Sequence, residues 1–475
     1  MNQDNGGVIG KINTPTTTVA SGVWSIQDQF EAQSSSIWPL AFPQTTFTNS
    51  CRFNKADTDY LSKTFSGDSN RRTFTYSCWV KKCTTSSGGA LFGVTGSGGG
   101  YIWFLLSGTV LYLQNNPSST VEFQTTQKTR DLSAFMLILL AIDTTQSTST
   151  DRVKLYINGE QVTSFSTSTY PSLNQDLQLV TGTNPIKIGE YGGEKLDAYL
   201  SEVIWVDGQQ LTPTSFGATN PVTNIWEPIA YTGTYGTNGF KLNFSDSSNL
   251  GDDTSGNGND FTVNNLTSVD QSTDTPSNNF ATLNPLEAEA NSPTFSDGNL
   301  TQTTPNSGAS GGRSTIEIPH TGVWYWEVKI VSTTGTIGDN IRLGISTGSS
   351  AVEGQNLRYM SNGQYVNPSG VSSYGASYAA GDIIGIKVDA DNNQVTFYKN
   401  GATQGAISYT MVAGETYKAV VGEFSNTIGC VYSMNFGNAP FSISSGNSDP
   451  NGYGNFEYYT DSGYALNTKN LAEFG

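Results

Sequence analysis

Histidine is almost missing from this chain: His320 is the single one among 475 residues. That excludes a metal site built on clustered histidines and leaves room for no more than one Ser-His-Asp arrangement. Cysteine is scarce too. Cys51, Cys78, Cys83 and Cys430 are too few to staple a chain of this length, and their spacing fits no zinc pattern. Cys78 and Cys83 flank "WVKK" on an expected strand, where their separation spans roughly 17 Å, so they cannot bridge each other without a turn. Small buried thiols in a reducing compartment are the expected reading. Charged residues make up 13% of the chain, acidic ones outnumber basic ones 40 to 23, and the net charge is −17. With its lysines and arginines scattered, such a chain repels a phosphate backbone, so nucleic-acid binding is not expected. Long apolar runs are absent as well. The longest, Phe135 to Ile142 ("FMLILLAI"), has eight residues. That is under half of what a bilayer-crossing helix needs, so no membrane insertion is expected and the run reads as a strand buried on both faces. The opening "MNQDNGGVIGKINTPTTTVASG" has no apolar core of the kind a secretory signal carries.

What the chain has in abundance is strand and turn chemistry: 52 Gly, 23 Tyr and 23 Phe among dense Thr, Ser and Asn, with no long stretch of apolar residues at helical spacing. The expected fold class is all-β. From Phe47 onward, short apolar segments recur at intervals of roughly 8–15 residues with Gly, Asn and Ser between them, the rhythm of a sandwich or barrel. Two of them end in the same device. "VKLYINGEQV" and "VTFYKNGATQG" each place a Tyr two residues before Asn-Gly, so each is expected to be a hairpin closed by a type I′ turn, at Asn158-Gly159 and at Asn400-Gly401. The length allows two or three domains, each with its own core.

The segments "RFNKADTDYLSKTFSGDSNRRTFTYSCWVKK", "DRVKLYINGEQV" and "LDAYLSEVIWVDGQQLTPTSFG", in that order, resemble the concanavalin A-like, laminin G-type jelly rolls found in large structural proteins of bacteriophages, particularly those of marine bacteria. This resemblance covers about residues 45–220. Further on, Trp324-Tyr325-Trp326-Glu327, Gly381-Asp382, Phe397-Tyr398-Lys399-Asn400-Gly401 and Asn435-Phe436-Gly437 resemble the signatures of the SPRY domain, over about residues 315–442. The closing "NGYGNFEYYTDSGYALNTKNLAEFG" is similar to the end of phage proteins that carry this domain pair. The resemblances imply two antiparallel β-sandwich jelly rolls. Along the chain they imply a docking segment over 1–41, a concanavalin A-like jelly roll over 42–225, a linker able to supply leading strands of the second sandwich over 226–312, a SPRY-like sandwich over 313–445 and a tail over 446–475. Phe240, Leu242 and Phe244 alternate like one such leading strand. The two sandwiches are expected to separate near residues 225–232.

In the first segment Trp24, Phe30 and Trp38 are large apolar side chains in polar surroundings, and "WSIQDQFEAQ" could form one short helix capped by Ser25. These three aromatics are the expected anchor onto a partner. Catalytic groups are hard to find. Glycosidases use a pair of carboxylates flanking the scissile bond, and those built on concanavalin-type jelly rolls set them on alternate positions of a single strand. Glu190, Glu194 and Asp197 are instead interrupted by Gly192-Gly193, so no enzyme is expected. No cofactor is expected either. Asp253, Ser255 and Asn257 with Gly258 loosely follow the start of a calcium loop, but the twelfth position is Asn264, not the bidentate Glu such a loop needs, and a Gly/Asn-rich turn is the expected reading. Asp389 to Gln394 is read as a tight turn, and His320 as a loop position. The remaining candidates are Arg358, Tyr359 and Tyr365, read in a long loop before Gly381, with Tyr374 close behind. Arg and Tyr supply binding energy at interfaces, and Tyr stacks on sugar faces. The alternative is that these tyrosines pack on their own sheet. The resemblance implies a non-enzymatic virion structural protein, in a tail or fibre or decorating a capsid, assembled in the host cytoplasm. Its partners would be other virion proteins, further copies of itself and a host-surface glycan or protein. A soluble carbohydrate-binding or carbohydrate-cleaving jelly roll is the alternative.

Overall fold

The computed structural model describes residue 27 and residues 45–475, apart from 87, 117–120, 221–222, 289–290, 292, 307, 348–355, 426 and 459–461. Trp24, Phe30 and Trp38 lie outside the described residues. The rest is an all-β molecule of two sandwiches, as its strand-rich composition predicts.

Alternation builds the first sandwich. In the strand Thr73–Lys82, Phe74, Tyr76, Cys78 and Val80 face the core. One sheet runs in the order Glu160–Gln161, Val153–Ile157, Met136–Asp143, Thr73–Lys82, Ala198–Asp207, Ser50–Phe53 and Gln271–Ser272, with Phe240–Leu242 also pairing onto Ala198–Asp207. The facing sheet runs Phe165–Thr169, Val121–Thr125, Val110–Asn116, Tyr101–Ser107, Gly89–Thr95, Ile186–Ile188, Tyr60–Lys63 and Thr262–Asn264. The apolar run at 135–142 forms Met136–Asp143, buried at every position. Ile138, Leu140 and Ile142 point between the sheets, whereas Leu137, Leu139 and Ala141 point into an outer apolar layer with Trp79, Phe216 and Tyr231. The chain after the strand Ala198–Asp207 folds back to supply that layer, which is why no polar alternation shows in this strand.

In the second sandwich one sheet runs Thr294–Ser296, Thr301–Thr303, Cys430–Asn435, Val323–Thr333, Ile383–Asp389, Gln394–Lys399 and Ala402–Ser408. The other runs Ser310–Ile318, Tyr417–Glu423, Ile341–Ser346, Asn356–Met360, Gln364–Asn367 and Gly370–Ser373. Trp324, Trp326, Val328 and Ile330 alternate into the core between them.

Two expectations about the chain's division require correction. The segment 226–312 is shared between the sandwiches. Phe240, Leu242 and Phe244 are all buried in the first core, and Phe240–Leu242, Thr262–Asn264 and Gln271–Ser272 add strands to the first sandwich. Only the strands from Thr294 onward lead the second. Residues 446–475 are no free tail either. Tyr464–Ala465 pairs in parallel with Val323–Thr333, Phe456 and Ala465 cover Tyr325 and Phe280, and the helix Thr468–Phe474 follows. The reason is the outer face of Val323–Thr333: Tyr325 and Glu327 alternate with the inward tryptophans and need a cover of their own.

The sandwiches meet across a hydrogen-bonded junction with a buried ion pair at its centre. Lys81 Nζ donates to Asp274 Oδ2 at 2.8 Å, Asn279 Oδ1 at 2.9 Å and the Phe280 carbonyl at 2.9 Å. Arg52 reaches the carbonyls of Val269 and Ala439, Asn299 Nδ2 donates to the Cys83 carbonyl at 2.9 Å, and Asn279 Nδ2 donates to the Ser133 carbonyl at 2.7 Å. A cut near residues 225–232 would therefore take three strands from the first sandwich and sever this network.

Both Asn-Gly hairpins form as the sequence predicts. φ is +47° and +83° at Asn158 and Gly159, and +48° and +79° at Asn400 and Gly401, the left-handed pair that a type I′ turn requires. The likeness goes further. Asn158 donates its backbone N–H to the Leu137 carbonyl and accepts from Leu137 N on Oδ1. Asn400 does the same with Ile383. Each turn thus clasps the start of the neighbouring strand, and each is roofed by an aromatic ring: a Cβ on Gly159 would stand 2.5 Å from Trp226, and one on Gly401 2.7 Å from Tyr458. Gly159→Val and Gly401→Val should each cost about 1–3 kcal/mol from the left-handed backbone alone, before the ring is displaced. The check is thermal unfolding followed by circular dichroism; an unchanged midpoint in both variants would contradict the assigned role of the turns.

All four cysteines are free and buried. Burial pushes the Cys78 thiol up to about 12 and the Cys430 thiol up to about 11, so neither ionises readily.

Candidate functional site

Three of the four residues singled out for recognition are on strands, and Tyr374 follows the strand Gly370–Ser373. Arg358 and Tyr359 lie on the strand Asn356–Met360 and Tyr365 on Gln364–Asn367. Arg358 is 3% exposed and Tyr359 fully buried. Tyr359, Tyr374, Tyr378 and Phe397 form one ring cluster with centroids 5.0–6.0 Å apart, and Tyr365 meets Tyr374 edge-on at 5.7 Å. Tyr374 donates to the Gly405 carbonyl and accepts from Phe397 N. The alternation of Leu357 and Tyr359 into the core makes this stretch a strand, so these tyrosines pack on their own sheet and Arg358 is buried over Phe424.

The calcium-like segment is a self-satisfied turn. Asp253 accepts from Lys241 N and Ser255 N on one oxygen, and from Ser255 Oγ and Asn259 N on the other. Asn257 Nδ2 donates to the carbonyls of Gly236 and Gly239. Asp389 likewise closes a turn onto Asn392. Glu190 and Glu194 sit on the two arms of a hairpin, Glu190–Tyr191 with Glu194–Lys195, and Glu190 is paired with Lys187 at 2.7 Å. His320 is exposed, with Nε2 2.8 Å from the Glu415 carbonyl.

A different set of side chains does come together. In Tyr101–Ser107 and Val110–Asn116, Ile102, Phe104, Leu111 and Leu113 point into the core, which leaves Tyr101, Trp103, Tyr112, Gln114 and Asn116 on the outward face. The register Tyr101↔Asn116, Trp103↔Gln114 and Gln114↔Glu122 places them in adjacent rows. Tyr101 packs against Trp103 with centroids 4.8 Å apart and planes inclined at 50°, and Trp103 meets Tyr191 edge-on at 6.0 Å. Tyr191 reaches over the sheet because Gly93 beneath it carries no side chain; a Cβ there would collide with the ring. Farther along the same face, Lys187 Nζ lies 4.7 Å over the Tyr60 ring.

Polar contacts hold this platform in place. Tyr101 Oη donates to Gln114 Oε1 at 2.8 Å and accepts from Asn116 Nδ2 at 3.3 Å. Tyr112 Oη donates to Glu122 Oε1 at 2.7 Å, and Tyr191 Oη lies 3.1 Å from Thr95 Oγ1. Burial and the Glu122 carboxylate push the Tyr112 phenol above its ordinary range, so it stays a neutral donor. The rings are half-buried, and the three tyrosines are fixed at their hydroxyl tips. Such a surface offers stacking faces beside amide and carboxylate groups at little further cost in side-chain entropy. The signal was present in the sequence, as Tyr-x-Trp and Tyr-x-Gln-x-Asn interleaved with apolar residues.

Comparison with known proteins follows the same division. The family model described as the concanavalin A-like lectin/glucanases superfamily matches residues 55–215, and the SPRY domain model matches residues 323–439. No curated protein matches the chain. Among solved structures, the human HERC1 SPRY domain is 19% identical, covering 32% of this chain and 96% of its own, with a TM-score of 0.28. A pentraxin of Limulus polyphemus is 12% identical, covering 46% and 93%, with a TM-score of 0.30. The mouse laminin α1 LG4-5 pair is 9% identical, covering 82% and 89%, with a TM-score of 0.29. The two family matches, set on two sandwiches, support a jelly roll similar to the concanavalin A-like superfamily followed by a sandwich similar to the SPRY domain, an architecture of recognition or binding modules.

Proposed function

We propose that this chain is a non-enzymatic display protein of a bacteriophage particle, in a tail, a fibre or a capsid decoration, and that its first sandwich holds host-surface glycan on the platform around Trp103. The platform carries the reading: three adjacent rings with Gln114, Asn116 and Glu122 at their edges suit the alternating apolar and hydroxyl faces of sugar rings. The placement on a particle rests on the ordered resemblance of three segments in the first sandwich and of the closing segment. Other virion proteins and further copies of the chain are its proposed partners there.

A glycan array with the full chain tests the binding, and a hydrolysis assay on the polysaccharides it holds tests the absence of catalysis. Trp103→Ala should weaken glycan binding at least tenfold, about 1.4 kcal/mol, with the circular dichroism spectrum retained, whereas Tyr374→Ala should leave binding unchanged. Equal binding by the Trp103 variant would remove the platform from the reading. Turnover of any polysaccharide would replace it with the alternative of a carbohydrate-cleaving jelly roll.

A further inference from the structure

Lys81 is placed where a lysine can do more than pair with a charge. Its side chain is 1% exposed, and its Nζ donates to Asp274 Oδ2 at 2.8 Å, to the side-chain amide oxygen of Asn279 at 2.9 Å and to the Phe280 carbonyl at 2.9 Å. An amine, a carboxyl group and a carboxamide thus meet at one buried point, with the centroid of the Tyr199 ring 5.6 Å from Nζ. A C=O bond is about 1.23 Å long, so Asn279 Cγ stands within about 4.1 Å of Nζ, near the range of a reactive approach. Both partners of the lysine are held in place. Asn279 Nδ2 donates to the Ser133 carbonyl at 2.7 Å, and Phe280 N donates to Asp274 Oδ1 at 3.0 Å. Burial pushes the Asp274 carboxyl above its ordinary range, which favours its acid form.

We propose that Lys81 and Asn279 join in an isopeptide bond, with Asp274 carrying the protons of the reaction. The ammonium first gives a proton to the Asp274 carboxylate. The Nζ lone pair then adds to Asn279 Cγ, and the carbonyl π pair moves onto Oδ1. Asp274 passes its proton to Nδ2 and takes one from Nζ. As the carbonyl re-forms, the Cγ–Nδ2 bond breaks with its electron pair on nitrogen, and ammonia leaves. One amide bond is made, one is broken, and nothing is oxidised or reduced. A buried ammonium and a buried carboxylate give way to a neutral amide and a neutral acid, which removes the desolvation cost of both charges. Asn279 lines the cleft of about 540 Å³ that opens to solvent between the sandwiches, so the ammonia has a way out. Until it reacts, the chain holds the ion pair. The bond ties the strand Thr73–Lys82 of the first sandwich to the segment that leads into the second, 198 positions away. This covalent clasp goes beyond the display reading and does not depend on it.

The mass of the intact, unfolded full chain tests it. After the folded protein has been held at neutral pH, that mass should lie about 17 Da below the value for the sequence, the mass of one ammonia. A tryptic digest should contain a branched peptide that joins residues 81 and 279. Asn279→Ala should restore the sequence mass with the circular dichroism spectrum retained, and Asp274→Ala should slow the loss at least about a hundredfold. Should either variant fail to fold, the branched peptide of the unsubstituted chain still decides. An unsubstituted chain at its full mass would overturn the proposal. So would a loss of about 18 Da, which is water and makes Asp274 the group bonded to Lys81. A loss of ammonia that persists in Asn279→Ala without the branched peptide would also overturn it, because ring closure at an Asn-Gly turn sheds ammonia too.

Discussion

Asp274→Ala should lower the stability of this chain by about 3–5 kcal/mol, because it removes the counter-charge from a lysine that has no route to water. The side chains of Lys81 and Asp274 are 1% and 0% exposed. Burial pushes the Asp274 carboxyl above its ordinary range, opposed by Lys81 and by the hydrogen bond from Phe280 N to Oδ1. In the variant the ammonium keeps only Asn279 Oδ1 and the Phe280 carbonyl, and Phe280 N loses its acceptor. Lys81→Met leaves the carboxyl behind instead, a group that can take up a proton and so be relieved as the pH falls. Its defect should therefore shrink in acid, whereas that of Asp274→Ala should not. The double variant Lys81→Met with Asp274→Leu should recover most of the loss, since apolar replacement of a buried pair is often close to neutral. Denaturant unfolding at two pH values measures all four proteins. Single variants within about 1 kcal/mol of the parent would mean that the junction is wetter than its geometry implies.

The position of this pair explains much of what the sequence could and could not disclose. Each sandwich was legible because its signals are local: alternation in Thr73–Lys82, the twice-used Asn-Gly turn, the doubly buried run at Met136–Asp143. The SPRY-like motifs were legible for the same reason, and the structure joins them in cross-ties. Glu327 and Asn435 are cross-strand partners joined at 3.0 Å. Asp382 accepts from Asn400 Nδ2 at 2.8 Å and pairs with Lys399 at 3.1 Å, so the four separate signatures join in two pairs. What was not legible is long-range. Nothing in "GFKLNF" says which sandwich it joins, because one buried face suits either. Arg358 and Tyr359 are read as a loop when a strand is bracketed by polar residues, and only the neighbouring strand Ile341–Ser346 shows that both are covered. The aromatic platform was hidden in another way: its rings alternate with core residues on two strands, and their convergence depends on a register that neither strand specifies alone.

The same distinction between local signal and distant cover leads to the last expectation, that a chain ending at residue 446 loses the second sandwich as a cooperative unit. Glu327 is fully buried on the outer face of Val323–Thr333. Its carboxylate accepts from Glu457 N at 3.0 Å and Tyr458 N at 2.8 Å, from Asn435 Nδ2 at 3.0 Å and from Tyr325 Oη at 3.3 Å. Burial pushes this carboxyl up, and the two backbone donors of the closing segment are the strongest groups pulling it back. Losing both removes about 1.5–3 kcal/mol for each charge-assisted bond. Losing Phe456, which meets Tyr325 edge-on at 4.9 Å, adds a cost on the scale of about 3–5 kcal/mol known for buried aromatics. Together these rival the whole stability of an ordinary domain, about 5–15 kcal/mol. The truncated protein should show the unfolding transition of the first sandwich alone, and also the near-ultraviolet dichroism of a second sandwich whose tryptophans are no longer fixed. Phe456→Ala in the full chain isolates the packing part. Glu327→Leu placed in the truncated chain should restore part of the second transition, because it removes the carboxylate that the missing segment had satisfied. A truncated chain that keeps both transitions at their full midpoints would show that the closing segment lies on the second sandwich without holding it together.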